Sequence, residues 1–124
     1  SPTKYLLAVN TDACSVGVYQ GSKGHWEEVA QWSCSPGAYG TPTVRGVFSV
    51  ADKGYSFDSF GSRCFYYTQF YGDYLFHSTL YYPGGGTMDD RLGMHLSHGC
   101  VRLKINNAKW IYDNIPRGTT VVSY

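Results

Sequence analysis

The run CFYYTQFYGDYLFHST, residues 64–79, sets Gly72 and Asp73 between two aromatic-rich segments, and it limits the possible folds more than any other part of the chain. Aromatic side chains suit the pleated, half-buried surface of a sheet and lose rotamer freedom in a helix. A glycine leading a two-residue connection favours a tight hairpin turn. The segment therefore predicts two antiparallel strands, with His77 near the end of the second. The whole chain leans the same way: 12 tyrosines, 15 glycines and 17% aromatic residues favour strands and turns over helices. A mainly β fold is expected.

Short apolar runs between turn signals extend that reading. KYLLAVN (4–10) has strand length, and SVGVYQ (15–20) alternates Val16 and Val18 with Gly17 and Tyr19. GSKG (21–24) reads as a turn with His25 at its surface, and HWEEVAQWSCS (25–35) as the returning strand of a meander, its register open. SPGAYGTPTVRG (35–46) is a connection, VFSVA (47–51) a strand, and LYYPGGGTMDDRLGMHL (80–96) a long mobile loop around Gly84 to Gly86. The only helix predicted lies in NNAKWIYDNIP, with Asn106 as cap, Ala108, Ile111 and Ile115 at helical spacing, and Pro116 as stop. GTTVVSY closes the chain as a strand. With 43% hydrophobic residues and no internal repeat, residues 1–124 are expected to form a single domain. A net charge of +1, without charge runs, gives no argument for nucleic acid as a partner. No apolar run approaches the roughly 20 residues that span a bilayer, so no membrane insertion by this domain is expected, and no signal peptide or anchor is visible.

Cysteines 14, 34, 64 and 100 include no Cys-x-x-Cys pair, which argues against zinc-ribbon and thioredoxin-type chemistry. Two functional readings can use LSHGCVRL (96–103) together with His77 and His95. In a zinc site His77, His95, His98 and Cys100 would have to converge, but their spacing matches no zinc motif and no glutamate stands near them, so no metal is expected. In nucleophilic catalysis a histidine polarises the Cys100 thiol, whose thiolate is scarce unless a base or imidazolium lowers its pKa from about 8.5. Gly99 would let a carbonyl approach the amides beside the thiol, where an oxyanion could be stabilised. Read from the residues alone, Cys100 as a buried apolar residue and His98 as a satisfied polar one weigh equally. A working Cys100 leaves three cysteines and at most one disulfide, for which Cys14 with Cys34 is the preferred pair because they flank the hairpin. Such a bridge would imply an oxidising, extracytoplasmic location. The alternative is that all are reduced, with Cys14, Cys34 and Cys64 as small core residues.

HST (77–79), followed by a glycine-containing loop and then SHGCVRL (97–103), resembles the signature of the L,D-transpeptidase catalytic domain, the YkuD-type family. In that pattern a histidine precedes a Ser/Thr-His-Gly-Cys block by some sixteen to twenty residues, and here His77 precedes Ser97 by 20. TPTVRGVFSV resembles the family's Thr-Pro-x-Gly-x-Phe segment with its glycine differently spaced. Gly93 resembles the glycine ahead of the block, and NNAKWIYDNIPRGTTVVSY the terminal helix and strand. Arg102 stands where the motif commonly has asparagine.

The resemblance implies a β-sandwich or barrel-like pair of mixed sheets with one short helix near the C-terminus. It also implies cysteine-dependent acyl transfer on peptidoglycan stem peptides. Cys100 would attack the carbonyl at stem position three of a tetrapeptide donor, release the terminal D-alanine and leave a thioester, which an amine acceptor resolves into a 3→3 cross-link. His77 becomes the base, oriented by the Ser78 carbonyl or hydroxyl, with Thr79 the less favoured partner. Ser97, His98 and Gly99 form the motif and oxyanion turn, His98 ordering it by hydrogen bonding with Ser97 beside it. Arg102 binds a substrate carboxylate, or else serves in packing or a salt bridge. Tyr81, Tyr82, Met88 and Met94 line the cleft or merely pack. No cofactor is implied, the protein is expected to be a monomer, and its place is the bacterial cell envelope or periplasm. The same fold also accommodates an L,D-carboxypeptidase or endopeptidase, in which water resolves the thioester, and a non-catalytic wall-binding module.

Overall fold

A computed structural model of the chain describes all 124 residues. Strands β1 (Tyr5–Asn10), β2 (Ser15–Ser22) and β3 (His25–Ser35) form the expected antiparallel meander. They are followed by β4 (Gly46–Ser49), β5 (Lys53–Ser59), β6 (Ser62–Tyr71) and β7 (Tyr74–Ser78), then by the short β8 (Leu80–Tyr81) and β9 (Thr87–Asp89). β10 (Val101–Leu103), helix α1 (Ile105–Asn114) and β11 (Thr120–Ser123) complete the chain. The strand order is β4-β11-β1-β2-β3-β10-β7-β6-β8-β9, with β5 added along β6. Most neighbours are antiparallel, but β11 runs parallel to β1 and β10 parallel to β7, so the sheet is mixed.

The long β3 joins the two halves, pairing with β2 along most of its length and with β10 through Cys34 and Ser35. Period-two alternation buries Leu7 and Val9 of β1 and Val16 and Val18 of β2. These meet Phe70, Phe76, Val101 and Leu103 from the other half, with Ala108, Ile111 and Ile115 of the helical segment, in one apolar cluster. The Gly72–Asp73 turn joins β6 and β7 as the sequence predicts.

Three expectations are corrected, and one strand is found that none of them covers. Residues 80–96 are not wholly loop: β8 pairs with both β6 and β9, and Gly84 to Gly86 lie in the connection of that small ladder. β5, which the sequence reading leaves unassigned although Tyr55 and Phe57 alternate with Gly54, Ser56 and Asp58, forms a hairpin with β6 through Phe60 and Gly61, whose φ values are +51° and +79°. α1 begins at Ile105, with Lys104 at the cap position and no capping side chain, so Asn106 lies inside the first turn. The chain enters the helix directly from β10, and that tight junction sets the boundary. At the other end Lys53 Nζ donates to the Tyr112 carbonyl at 2.9 Å and to that of Ile115, placing a cation where the helix dipole favours one. Finally, Cys14 and Cys34 are unbridged thiols although their backbones meet, Cys34 N donating to Cys14 O at 2.9 Å. Cys14 Sγ turns instead to the His95 ring, 3.7 Å from Nδ1 and 3.8 Å from Nε2.

Because Ile111 is fully buried where the helix closes the core, Ile111→Ala should lower the unfolding free energy by about 2–5 kcal/mol. Val47→Ala, at a side chain 71% exposed, should change it by less than about 0.5 kcal/mol. Urea unfolding of both variants checks this; equal losses would remove the helix from the stabilising core.

Candidate active site

The parallel ladder between β7 and β10 sets His77 opposite Arg102, and Cys100 immediately precedes β10. The turn that delivers the thiol depends on Gly99. Its φ is +127°, and a Cβ there would lie 2.9 Å from Tyr74 Cε1, so a side chain would meet both strain and an aromatic ring. Ser97 closes the turn: its hydroxyl accepts from Gly99 N at 3.1 Å and donates to the Cys100 carbonyl. The Ser97 carbonyl in turn accepts from Ala38 N at 2.7 Å and from the Thr41 hydroxyl at 3.0 Å. The ordering role expected of His98 thus belongs to Ser97. Ser97 is buried, whereas His98 is exposed, makes no side-chain hydrogen bond and tilts its ring over Phe60 at 5.1 Å.

His77 is 4% exposed, with the edge-on ring of Phe57 at 5.2 Å. Its Nδ1 lies 2.6 Å from the Ser78 carbonyl. A carbonyl can only accept, so Nδ1 carries the proton and the Nε2 lone pair is free. Burial lowers the His77 pKa to about 4; the bond to Ser78 opposes the shift and the Arg102 charge adds to it. The Ser78 hydroxyl is engaged elsewhere, accepting from Phe65 N and donating to the Thr79 carbonyl, both at 2.8 Å. Of the two orienting groups considered for Ser78, it is the carbonyl that touches the imidazole.

Cys100 is half-buried, and its thiol donates to the Asp73 carbonyl at 3.3 Å. Burial pushes its pKa up, while the Leu75 backbone N–H and the Arg102 charge pull it back. Burial therefore disfavours the charged form of each group, the imidazolium of His77 and the thiolate of Cys100. Both groups sit where separated charges are poorly solvated. The other thiols are less available still: Cys34 is pushed up to about 12 and Cys64 to about 11, chiefly by burial.

His77, Cys100 and Arg102 share one cavity of about 130 Å³, which Ser97, Cys64, Met88, Phe60 and His98 also line. A wider cleft of about 580 Å³, lined by Gly72, Asp73 and Leu75, also borders Cys100. Phe57, Ser59, Phe60, His98 and Cys100 border both. Arg102 is 7% exposed; its Nη1 stands 3.7 Å from Asp89 Oδ2, while its Nε has no partner. Asp89 is bound more closely by Arg91, at 2.8 Å, which holds its carboxyl down to about 2.

Of the loop residues considered for the cleft, Met88 lines it, Tyr81 packs edge-on against Phe65, and Tyr82 and Met94 are exposed outside the two cavities. His95 does not join His77, His98 and Cys100, because it sits with Cys14 and the Thr11 carbonyl. Sequence reasoning missed Phe57, Phe60, Cys64, Asp73 and Asp89. The Phe60-Gly61 pair was the one legible signal, as an aromatic beside a glycine able to form a tight turn.

Comparison with known proteins identifies the fold and the family. A family model described as the YkuD L,D-transpeptidase catalytic domain matches residues 4–122. YciB of Bacillus subtilis (strain 168), which carries a provisional L,D-transpeptidase name, is 47% identical over 55 residues, covering 42% of this chain and 28% of that protein. The crystal structure of a fused Zn-dependent amidase/peptidase/peptidoglycan-binding domain-containing protein from Clostridium acetobutylicum ATCC 824 superposes with a TM-score of 0.85 at 42% identity, over 98% of this chain and 52% of that one. An L,D-transpeptidase from Mycobacterium smegmatis shares the fold, with a TM-score of 0.80 at 23% identity over 98% of this chain and 58% of that one. The chain thus spans about half the length of these solved proteins. With residues 4–122 matched by the family model, the chain belongs to the YkuD family of L,D-transpeptidase catalytic domains.

Proposed function

We propose that the domain transfers acyl groups between peptidoglycan stem peptides through a thioester on Cys100. The observation that carries this reading is the opening of Cys100 and His77 onto one cavity, with Nδ1 of His77 fixed by Ser78 and Nε2 left free. As Sγ bonds to the donor carbonyl carbon, its proton passes to His77 Nε2, so that neither group carries a full charge before attack. The carbonyl oxygen becomes an oxyanion. The N–H groups of His98 and Cys100 donate no hydrogen bond within the protein, which supports their use as its donors. Collapse breaks the C–N bond, and His77 returns the proton to the leaving D-alanine amine. An acceptor amine then attacks the thioester, loses a proton to His77 and expels Cys100 as the thiol, forming the 3→3 link.

Two adjoining clefts that both border Cys100 suit two substrates. The nearly buried guanidinium of Arg102, with its unpartnered Nε, suits a substrate carboxylate. Those features favour transfer over hydrolysis and over a binding module without chemistry. The substrate class locates this activity in the bacterial cell envelope. No helix here is long and apolar enough to cross a membrane.

Incubation with a defined tetrapeptide should add the tripeptide acyl mass to the intact protein with loss of D-alanine, and an added amine should convert it to a cross-linked product. Cys100→Ala should fold and acquire no adduct; an adduct on that variant would end the cysteine mechanism. His77→Asn should slow acylation by about 10²–10⁴-fold, as the loss of a general base does; an undiminished rate would assign the base elsewhere.

Acid stability follows from the same imidazole. The folded pKa of His77 is depressed to about 4 from about 6.5, so the unfolded chain binds the extra proton between those values. This contribution to stability is complete above pH 6.5 and is lost as pH falls towards 4, by about 3 kcal/mol at most. Urea unfolding across that range should show a steeper acid loss in the wild type than in His77→Asn. Parallel curves would mean that His77 titrates normally.

A further inference from the structure

We infer that Thr43, outside both clefts at Cys100, is the positioning residue that aims the Cys100 N–H at the reacting carbonyl. This rests on the acyl-transfer reading above. The observation is a buried hydroxyl held between two backbone groups of fixed polarity. Thr43 is 4% exposed; its Oγ1 accepts from Gly37 N at 2.8 Å and donates to the Gly99 carbonyl at 2.7 Å. An amide can only donate and a carbonyl only accept, so the hydroxyl has one orientation and both its neighbours are satisfied.

The consequence comes from peptide geometry. The Gly99–Cys100 bond is trans and planar, so its carbonyl and its N–H point in opposite directions. Thr43 draws the Gly99 carbonyl to the side of a separate cleft, which Gly37, Pro42 and Tyr74 also line. The Cys100 N–H is thereby turned away from that side, and it has no partner in the protein. Gly99 cannot fix this plane by its own preference, because glycine tolerates many conformations and here adopts φ +127°. Ser97 binds the next carbonyl, that of Cys100, and does not hold this peptide's oxygen.

The support behind Thr43 is closely packed. Gly37 lies so close to the 41–43 segment that a Cβ on it would stand 2.1 Å from the Thr41 carbonyl and 2.6 Å from Thr43 N. That close approach brings Gly37 N within reach of the Thr43 hydroxyl. Thr41 makes an analogous bond to the Ser97 carbonyl, but there Ala38 N supplies a second donor. No other group binds the Gly99 carbonyl, so the two threonines should differ in effect.

The test compares two reactions of the same thiol. Acylation by p-nitrophenyl acetate or by a tetrapeptide passes through an oxyanion; alkylation by iodoacetamide displaces iodide and forms none. In the full chain, Thr43→Val should lower the maximal acylation rate by about 10-fold or more, as expected when an oxyanion donor is misaimed. It should change KM by less than about threefold and leave the iodoacetamide rate within about twofold of wild type. Thr43→Ser should restore acylation, and Thr41→Val should cost far less than Thr43→Val. If Thr43→Val fails to fold, Thr43→Ala, which adds no bulk, is read in the same way. Acylation at the wild-type rate in the valine or alanine variant, or acylation and alkylation falling together, would overturn the assignment. Failure of the wild type to react with tetrapeptide while it reacts with the ester would count against the proposed substrate alone, and the ester series would still decide the role of Thr43.

Discussion

The parallel pairing of β7 with β10 is the constraint on which the site depends. It sets His77 beside Arg102 and brings Cys100, at the mouth of β10, to the cavity that both of them line. Parallel neighbours need a crossover. Here the connection runs from Ser78 through β8 and β9 and back along the 93–99 segment, the very stretch that carries Asp89, Ser97 and Gly99. The ladder and its connection therefore both line one cavity. β3, pairing with β10 at Cys34 and Ser35, ties that ladder to the other half of the sheet.

Burial sets the chemistry of the two reacting groups in opposite directions. It lowers the imidazole pKa and raises that of the thiol, so the thiolate–imidazolium pair is disfavoured at rest. In the acyl transfer proposed above, an uncharged pair would wait until a substrate carbonyl accepts negative charge, and the proton would then move with attack. Under that proposal the amides of the Ser97–Cys100 turn and the guanidinium of Arg102 would matter more than a preformed thiolate, because charge would appear only as the reaction proceeds. The absence of side-chain hydrogen bonds at His98, next in sequence to the nucleophile's glycine, fits the same picture: it borders the cleft with Phe60 while the buried Ser97 holds the backbone.

Much of the fold was legible where local and tertiary preferences agree. Val16 and Val18 alternate because one face of β2 is core, and Ile111 and Ile115 are spaced for one face of a helix. β5 escaped notice because its alternation is short, with only Tyr55 and Phe57 between Gly54 and the Phe60-Gly61 turn, and it is held chiefly by its ladder to β6. The helix start was misplaced because Lys104 has no capping side chain, so the boundary comes from the strand before it. At the site, the histidine-to-cysteine spacing is a property of the chain and could be read. The tautomer of His77, the ion pair of Arg102 with Asp89 and the reach of Thr43 to Gly99 depend on contacts between distant segments, which no local pattern records.

The most direct test of the neutral-pair mechanism is a 15N NMR titration of the histidine side chains in the intact domain, with His77 assigned by its loss in His77→Asn. A His77 ring protonated on Nδ1 alone at neutral pH, gaining its second proton with a midpoint near 4, is the expected result. A doubly protonated His77 at neutral pH, accompanied by the ultraviolet absorbance of a thiolate that disappears in Cys100→Ala, would contradict it.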